Sequence, residues 1–73
     1  MTNFEKALEI IDRTCDDNAT MDYKAFKNAL TLATVDEESR EYFRGFTQAL
    51  YYGGVISYND REVLRMAMYE GVA

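Results

Sequence analysis

The stretch ALYYGGVISYND, Ala49 to Asp60, decides how the chain folds, because it joins the end of one predicted helix to the start of the next. Gly53 or Gly54 can end the helix in the left-handed backbone conformation, which only glycine adopts at low cost. Ser57 and Asp60 then have the spacing of a capping box, in which a hydroxyl and a carboxylate satisfy free amides at a helix start. The stretch therefore predicts a corner between two helices.

Similar start signals occur elsewhere in the chain. Thr2 and Glu5 have the capping-box spacing, as do Thr34 and Glu37, and a weaker signal begins at Thr20. Four starts predict four helices, at residues 3–15, 21–32, 35–52 and 58–70. We expect an all-α fold, a small bundle of two helix-loop-helix hairpins, with three main helices and one short helix as the alternative.

Apolar residues recur at the three- and four-residue spacing of an α-helix. The predicted core faces are, in chain order, Phe4, Leu8, Ile11 and Cys15; Tyr23, Phe26, Leu30 and Ala33; Phe43, Phe46 and Leu50; and Leu64, Ala67 and Met68. Ala7 and Ile10 widen the first face, and Val63 lies beside the last. We also expect Val55 and Ile56 to anchor the third loop in the core.

The composition of the 73 residues limits the catalytic and metal-binding sites that the protein can form. There is no histidine, which removes Ser-His and Cys-His nucleophile pairs and the commonest zinc ligand. Cys15 is the only cysteine, so no intramolecular disulfide can form and a reducing, cytoplasmic setting fits. No segment is long and apolar enough to span a bilayer. We expect one non-enzymatic domain over residues 1–73, with no catalytic residues.

The net charge of −5, from 13 acidic and 8 basic residues, bears on partners. It disfavours direct binding to nucleic acid or to an anionic membrane, because attraction to phosphates dominates such binding. It favours binding to a basic surface on a larger protein.

The segment 14–25, TCDDNATMDYKA, resembles an EF-hand calcium loop. Asp16 and Asn18 fall on ligand positions, but Thr14 and Ala25 occupy the first and twelfth positions, where calcium needs carboxylates. The GGVIS stretch lacks the G-x-G-x-x-G and G-K-[ST] patterns of phosphate loops. We therefore predict neither a metal site nor a cofactor.

An acidic stripe, formed by Glu5, Glu9, Asp12 and Asp16, runs along the first predicted helix at spacings of 4, 3 and 4 residues. With 3.6 residues per turn these side chains lie within about 60° of one another, and about 100° from the predicted core face. One interpretation is an ordinary solvated helix face. The other is a row of negative charge that imitates a nucleic-acid backbone or binds lysines and arginines.

Six tyrosines are more than so small a core can hold with every hydroxyl satisfied. Tyr51 and Tyr52 are adjacent on a helix and point about 100° apart, so at least one should face outward. Exposed tyrosines are typical of protein interfaces, although a tyrosine at the edge of a core has the same appearance. The candidate partner-binding tyrosines are Tyr42, Tyr51, Tyr52 and Tyr69.

Short, acidic, cysteine-poor, all-helical chains with surplus tyrosine are similar in type to accessory proteins of bacteriophages and mobile elements, including anti-CRISPR and anti-restriction proteins. The resemblance implies an inhibitor that blocks a host defence or nucleic-acid-handling protein in the host cytoplasm. Two other functions stay open. One is a self-associating helical regulatory module, and the other is a phage protein that sequesters a small nucleotide near the glycine loop.

Overall fold

The computed structural model describes residues 1–70 and contains four α-helices with no strand in that range. Their bounds are α1 Asn3–Asp17, α2 Tyr23–Ala33, α3 Glu37–Tyr52 and α4 Tyr58–Glu70. The all-α prediction and all four helices are confirmed. The predicted end of α1 and the predicted starts of α2 and α3 each differ from the structure by two residues, because the loops cap the helices differently from the prediction.

Two of the predicted capping boxes form. At α1 the amide of Glu5 donates to Oγ1 of Thr2, and the amide of Thr2 donates to Oε1 of Glu5, both at 3.1 Å. At α4 the amide of Asp60 donates to Oγ of Ser57 at 3.1 Å, and the amide of Ser57 lies 3.4 Å from a carboxylate oxygen of Asp60. Both helices thus begin where the sequence predicts.

The predicted start of α3 at Thr34 was wrong. The hydroxyl of Thr34 donates to the carbonyl of Thr31 at 2.6 Å, so Thr34 closes α2 instead. Asp36 is the N-cap of α3, and its carboxylate accepts bonds from the amide and the hydroxyl of Ser39, at 3.0 and 2.7 Å. At the start of α2, Asp22 is the cap and accepts from the amide of Lys24.

The glycine corner ends α3 as predicted, and Gly54 is the left-handed residue, with φ of 75°. The amide of Val55 returns to the carbonyl of Leu50 at 2.9 Å, which satisfies one of the last free acceptors of α3. Ile56 enters the core, but Val55 remains 38% exposed, so its predicted anchoring role was wrong. Of the two residues, only Ile56 is buried, at 5% exposed.

The helices pack around one hydrophobic core. The most extensive contacts join α1 to α4 and α2 to α3, and within residues 1–70 the backbones of α1 and α3 do not lie side by side. At one end Arg13 of α1 forms a salt bridge with Asp60 of α4. At the other end Glu70 of α4 accepts from the first amides of α1. Helices α1 and α4 are therefore antiparallel, and α1 lies diagonally opposite α3.

The core of α1 differs from the predicted stripe. Its buried residues are Ala7, Ile10, Ile11 and Thr14, whereas Phe4, Leu8 and Cys15 are only half-buried. At 100° per residue, the mean direction of this buried face differs by about 80° from that of the predicted stripe. In the other helices Phe26, Leu30, Ala33, Phe43, Leu64, Ala67 and Met68 are buried as predicted, while Tyr23, Phe46, Leu50 and Val63 are half-buried.

Candidate partner-binding surfaces

The acidic stripe on α1 is exposed: Glu5, Glu9, Asp12 and Asp16 all face solvent. At 100° per residue, the mean direction of these side chains is about 180° from that of the buried face of α1. The stripe therefore lies on the side of α1 directly away from the core, farther round than the sequence predicted, and it is accessible along its length.

The four carboxylates differ in what they already bind. Glu5 belongs to the capping box, and hydrogen bonds from the amide and hydroxyl of Thr2 hold the pKa of its carboxyl below the usual value. Within residues 1–70, Glu9, Asp12 and Asp16 form no salt bridge. Three adjacent carboxylates of the stripe are thus available to an external cation.

Tyrosines and an arginine gather at the corner between α3 and α4. The guanidinium of Arg61 lies 4.9 Å from the ring centroids of both Tyr51 and Tyr58. The rings of Tyr51 and Tyr58 meet edge to face at 5.9 Å, and Tyr52 lies 5.4 Å from Tyr51. At least one tyrosine of the Tyr51–Tyr52 pair was expected to face outward, and it is Tyr52, which is 76% exposed.

The remaining candidate tyrosines lie elsewhere. Tyr42 is 67% exposed and stacks on Phe46 at 6.3 Å, on the side of α3 that faces α2. Tyr69 lies under the guanidinium of Arg40 at 5.9 Å, near the end of α4. The structure therefore brings Tyr51 and Tyr52 together, but it does not unite the four tyrosines with the acidic stripe. Tyr42, Tyr51 and Tyr52 lie on α3, which is not beside α1, and Tyr69 lies on α4 against Arg40 of α3.

A basic groove between α3 and α4 is the site that the sequence analysis missed. It has a volume of about 260 Å³ and is lined by Arg44, Thr47, Gln48, Tyr58, Arg61, Glu62 and Arg65. Arg61 and Arg65 are four residues apart and so share one helix face, a signal that was present in the sequence. Arg44 is on another helix, and only the packing of α3 against α4 brings it to the same place.

The carboxylate in this groove is Glu62. Its Oε1 and Oε2 accept hydrogen bonds from Nη2 and Nε of Arg65, at 3.0 and 3.3 Å. These bonds hold the pKa of the Glu62 carboxyl below its usual value and raise the pKa of Arg65. Glu62 is therefore an internal anion that is hydrogen-bonded to Arg65 and lies 3.7 Å from the guanidinium of Arg61.

The EF-hand-like segment is arranged as a helix end. Thr14, at the first ligand position, is buried, and the side-chain amide of Asn18 donates to the Thr14 carbonyl at 2.9 Å. No group of histidine, cysteine, aspartate and glutamate side chains suited to a metal ion occurs within residues 1–70. Partial burial, with Asp22 and Asp12 nearby, raises the pKa of the Cys15 thiol, so it is a poor nucleophile at neutral pH.

No protein-family model matches the chain, and no curated protein or solved structure shows significant similarity to it. Of the helices in residues 1–70, none combines the length and the apolar composition needed to cross a bilayer.

Proposed function

We propose that this protein is a non-enzymatic inhibitor, encoded by a phage or mobile element, that binds a larger protein through the acidic face of α1. The partner presents a basic surface, such as the nucleic-acid-binding site of a host defence or nucleic-acid-handling protein. The observation that carries the proposal is the exposed row of carboxylates, three of which have no salt-bridge partner within residues 1–70.

The spacing of the stripe supports a nucleic-acid mimic. Successive carboxylates are three or four residues apart, which corresponds to about 5 Å along the helix axis. A DNA strand carries about one charge per 3.4 Å of helix axis. The stripe is less dense than DNA but of the same order, and a surface that binds successive phosphates could bind successive carboxylates.

The charge of the whole protein supports the same partner. A net charge of −5 on so small a chain repels nucleic acid and membranes and attracts a basic surface from a distance. Such steering mainly raises the association rate and falls with ionic strength. We therefore expect partner binding to weaken as salt is added.

Affinity capture from a bacterial host lysate tests the proposal when variants are compared. The triple variant Glu9→Gln, Asp12→Asn, Asp16→Asn removes three charges from the stripe but leaves the capping residue Glu5 in place. A matched control replaces three other exposed acids of this chain, Glu37, Glu38 and Glu41, by glutamine.

We expect a basic protein to be captured by the wild type and by the control, and to be lost from the stripe variant. Equal loss in both variants would show that overall charge matters rather than the α1 face. Equal capture by both variants would contradict the proposal. Circular dichroism of each variant checks that the helices remain.

Self-association is a second candidate function, favoured by the exposure of Tyr42 and Tyr52, at 67% and 76%. Large exposed aromatic side chains are often the anchors of protein interfaces. Light scattering over a range of concentrations should then show a mass that rises towards the dimer and returns to the monomer on Tyr42→Ser or Tyr52→Ser. A constant monomer mass at high concentration would exclude this candidate.

A further inference from the structure

We propose that the groove between α3 and α4, lined by Arg44, Arg61 and Arg65, binds a small phosphate-bearing molecule. The site is separate from the acidic stripe, because none of the four stripe carboxylates lines the groove. It therefore goes beyond the proposed partner-binding function and can be tested independently of it.

The charge of the groove favours an anionic ligand. The protein is acidic overall, yet the lining of this groove has three arginines and a single carboxylate, that of Glu62. The local charge is thus opposite in sign to that of the whole chain. A phosphate monoester at neutral pH carries close to two negative charges, so it matches this lining better than a single carboxylate does.

Arg61 is held in place by two aromatic rings. Its guanidinium lies 4.9 Å from the rings of Tyr51 and Tyr58, and its side chain is only 20% exposed. Its contact with the carboxylate of Glu62 is 3.7 Å, longer than a hydrogen bond. The two aromatic rings fix a planar donor whose N–H groups remain available, and such a preorganised fork fits the oxygens of a phosphate.

The other two arginines of the groove each have a carboxylate partner. Arg44 pairs with Glu41 at 2.7 Å, and both of these side chains are solvent-exposed. Arg65 pairs with Glu62 at 3.0 Å, where Arg65 is exposed and Glu62 is half-buried. Salt bridges at exposed positions contribute little to stability, because water and salt screen them. An incoming dianion can therefore share or replace these carboxylates at little cost.

The size of the groove limits the ligand. A volume of about 260 Å³ is below the range of about 300–1,000 Å³ typical of pockets for drug-sized molecules. It suits a phosphate, a pyrophosphate or the phosphorylated end of a nucleotide. Tyr58 is 56% exposed at the edge of the groove and offers a ring on which a base can stack.

Calorimetric titration of the full chain with inorganic pyrophosphate and with AMP tests the proposal. Arg44→Gln should weaken binding of both probes by about tenfold or more, the effect expected for loss of a charge-assisted contact. Lys27→Gln is the matched control, because it removes one exposed positive charge from α2, outside the groove. It should change the affinity by less than about twofold, as screened distant charges do.

Glu62→Gln gives a prediction of opposite sign. It removes the internal anion beside Arg65, so affinity for pyrophosphate should rise severalfold. Gains and losses of opposite sign within one groove cannot result from unfolding, so the three variants separate a binding defect from a folding defect.

AMP and pyrophosphate distinguish the sources of the phosphate. Tighter binding of AMP, lost on Tyr58→Leu, would identify a nucleotide, whereas tighter binding of pyrophosphate would identify the phosphate group alone as the ligand. Absence of binding by either probe at millimolar concentration, or equal weakening by Arg44→Gln and Lys27→Gln, would overturn the proposal. Neither result would affect the stripe, whose test uses α1 variants.

Discussion

The carboxylate of Glu70 accepts a hydrogen bond of 2.7 Å from the backbone amide of Phe4, which joins the last turn of α4 to the first turn of α1. The other oxygen of Glu70 accepts from the amide of Asn3 at 2.9 Å. A helix start has free amides and a partial positive charge, so an anion there is stabilising. The contact fixes the C-terminal end of α4 to the N-terminal end of α1, at the end of the helix pair opposite the Arg13–Asp60 salt bridge.

Glu70→Gln should lower the free energy of unfolding by about 1 kcal/mol, because it removes the charge and one acceptor oxygen from the start of α1. For a domain of this size that corresponds to a fall in Tm of about 4–8 °C. Glu9→Gln is the control, because Glu9 is exposed on the same helix without such a contact. Equal urea midpoints for the two variants would refute a stabilising role of Glu70.

Acid should destabilise the protein through its capping carboxylates. Hydrogen bonds from the hydroxyl and amide of Ser39 hold the pKa of Asp36 below its ordinary value of 3.8, and those from Thr2 hold the pKa of Glu5 below 4.5. A carboxyl whose pKa is lower in the folded state stabilises the fold above its unfolded pKa. That contribution is lost as the pH falls through the folded pKa.

The Tm should therefore be nearly constant from pH 7 to 5 and fall below about pH 4.5. Asp36→Asn tests the cause, since asparagine is also a good N-cap but does not titrate. We expect it to change the Tm little at pH 7 and to reduce the fall in Tm in acid. An acid profile identical to that of the wild type would contradict the assignment to Asp36.

Two glycines of the described chain should respond oppositely to alanine. Gly54 has a φ of 75°, where a side chain is strained, so Gly54→Ala should lower the free energy of unfolding by about 1 kcal/mol. Gly45 lies within α3, and an added Cβ would contact nothing within 4 Å. Gly45→Ala should therefore raise the stability by about 0.5–1 kcal/mol. Shifts of the same sign in urea unfolding would contradict this account of the corner.

Local signals in the sequence were sufficient to predict the helices. Thr2 with Glu5, and Ser57 with Asp60, satisfy amides within one turn, so their effect does not depend on the rest of the fold. The start of α3 was misplaced because the hydroxyl of Thr34 has two possible uses, to open α3 or to close α2. In the structure the hydroxyl of Thr34 closes α2, and Asp36, two residues later, caps α3.

Contacts between helices could not be predicted in the same way. The salt bridge of Arg13 with Asp60, and the position of Arg61 between two tyrosine rings, depend on which helices become neighbours. The rotation of the buried face of α1 away from the predicted stripe also depends on which helices become neighbours. The acidic stripe was predicted because helical spacing alone defines it, whereas the basic groove needs Arg44 from a second helix.

Competition with duplex DNA for the captured partner tests the role of the acidic face most directly. Fluorescence anisotropy of a labelled duplex bound to that partner would be followed as this protein is added. We expect the wild type to displace the DNA completely, and the Glu9→Gln, Asp12→Asn, Asp16→Asn variant to need at least about tenfold more protein, since each lost charge contact weakens binding. A ternary complex that retains the DNA, or equal displacement by the variant, would contradict the account.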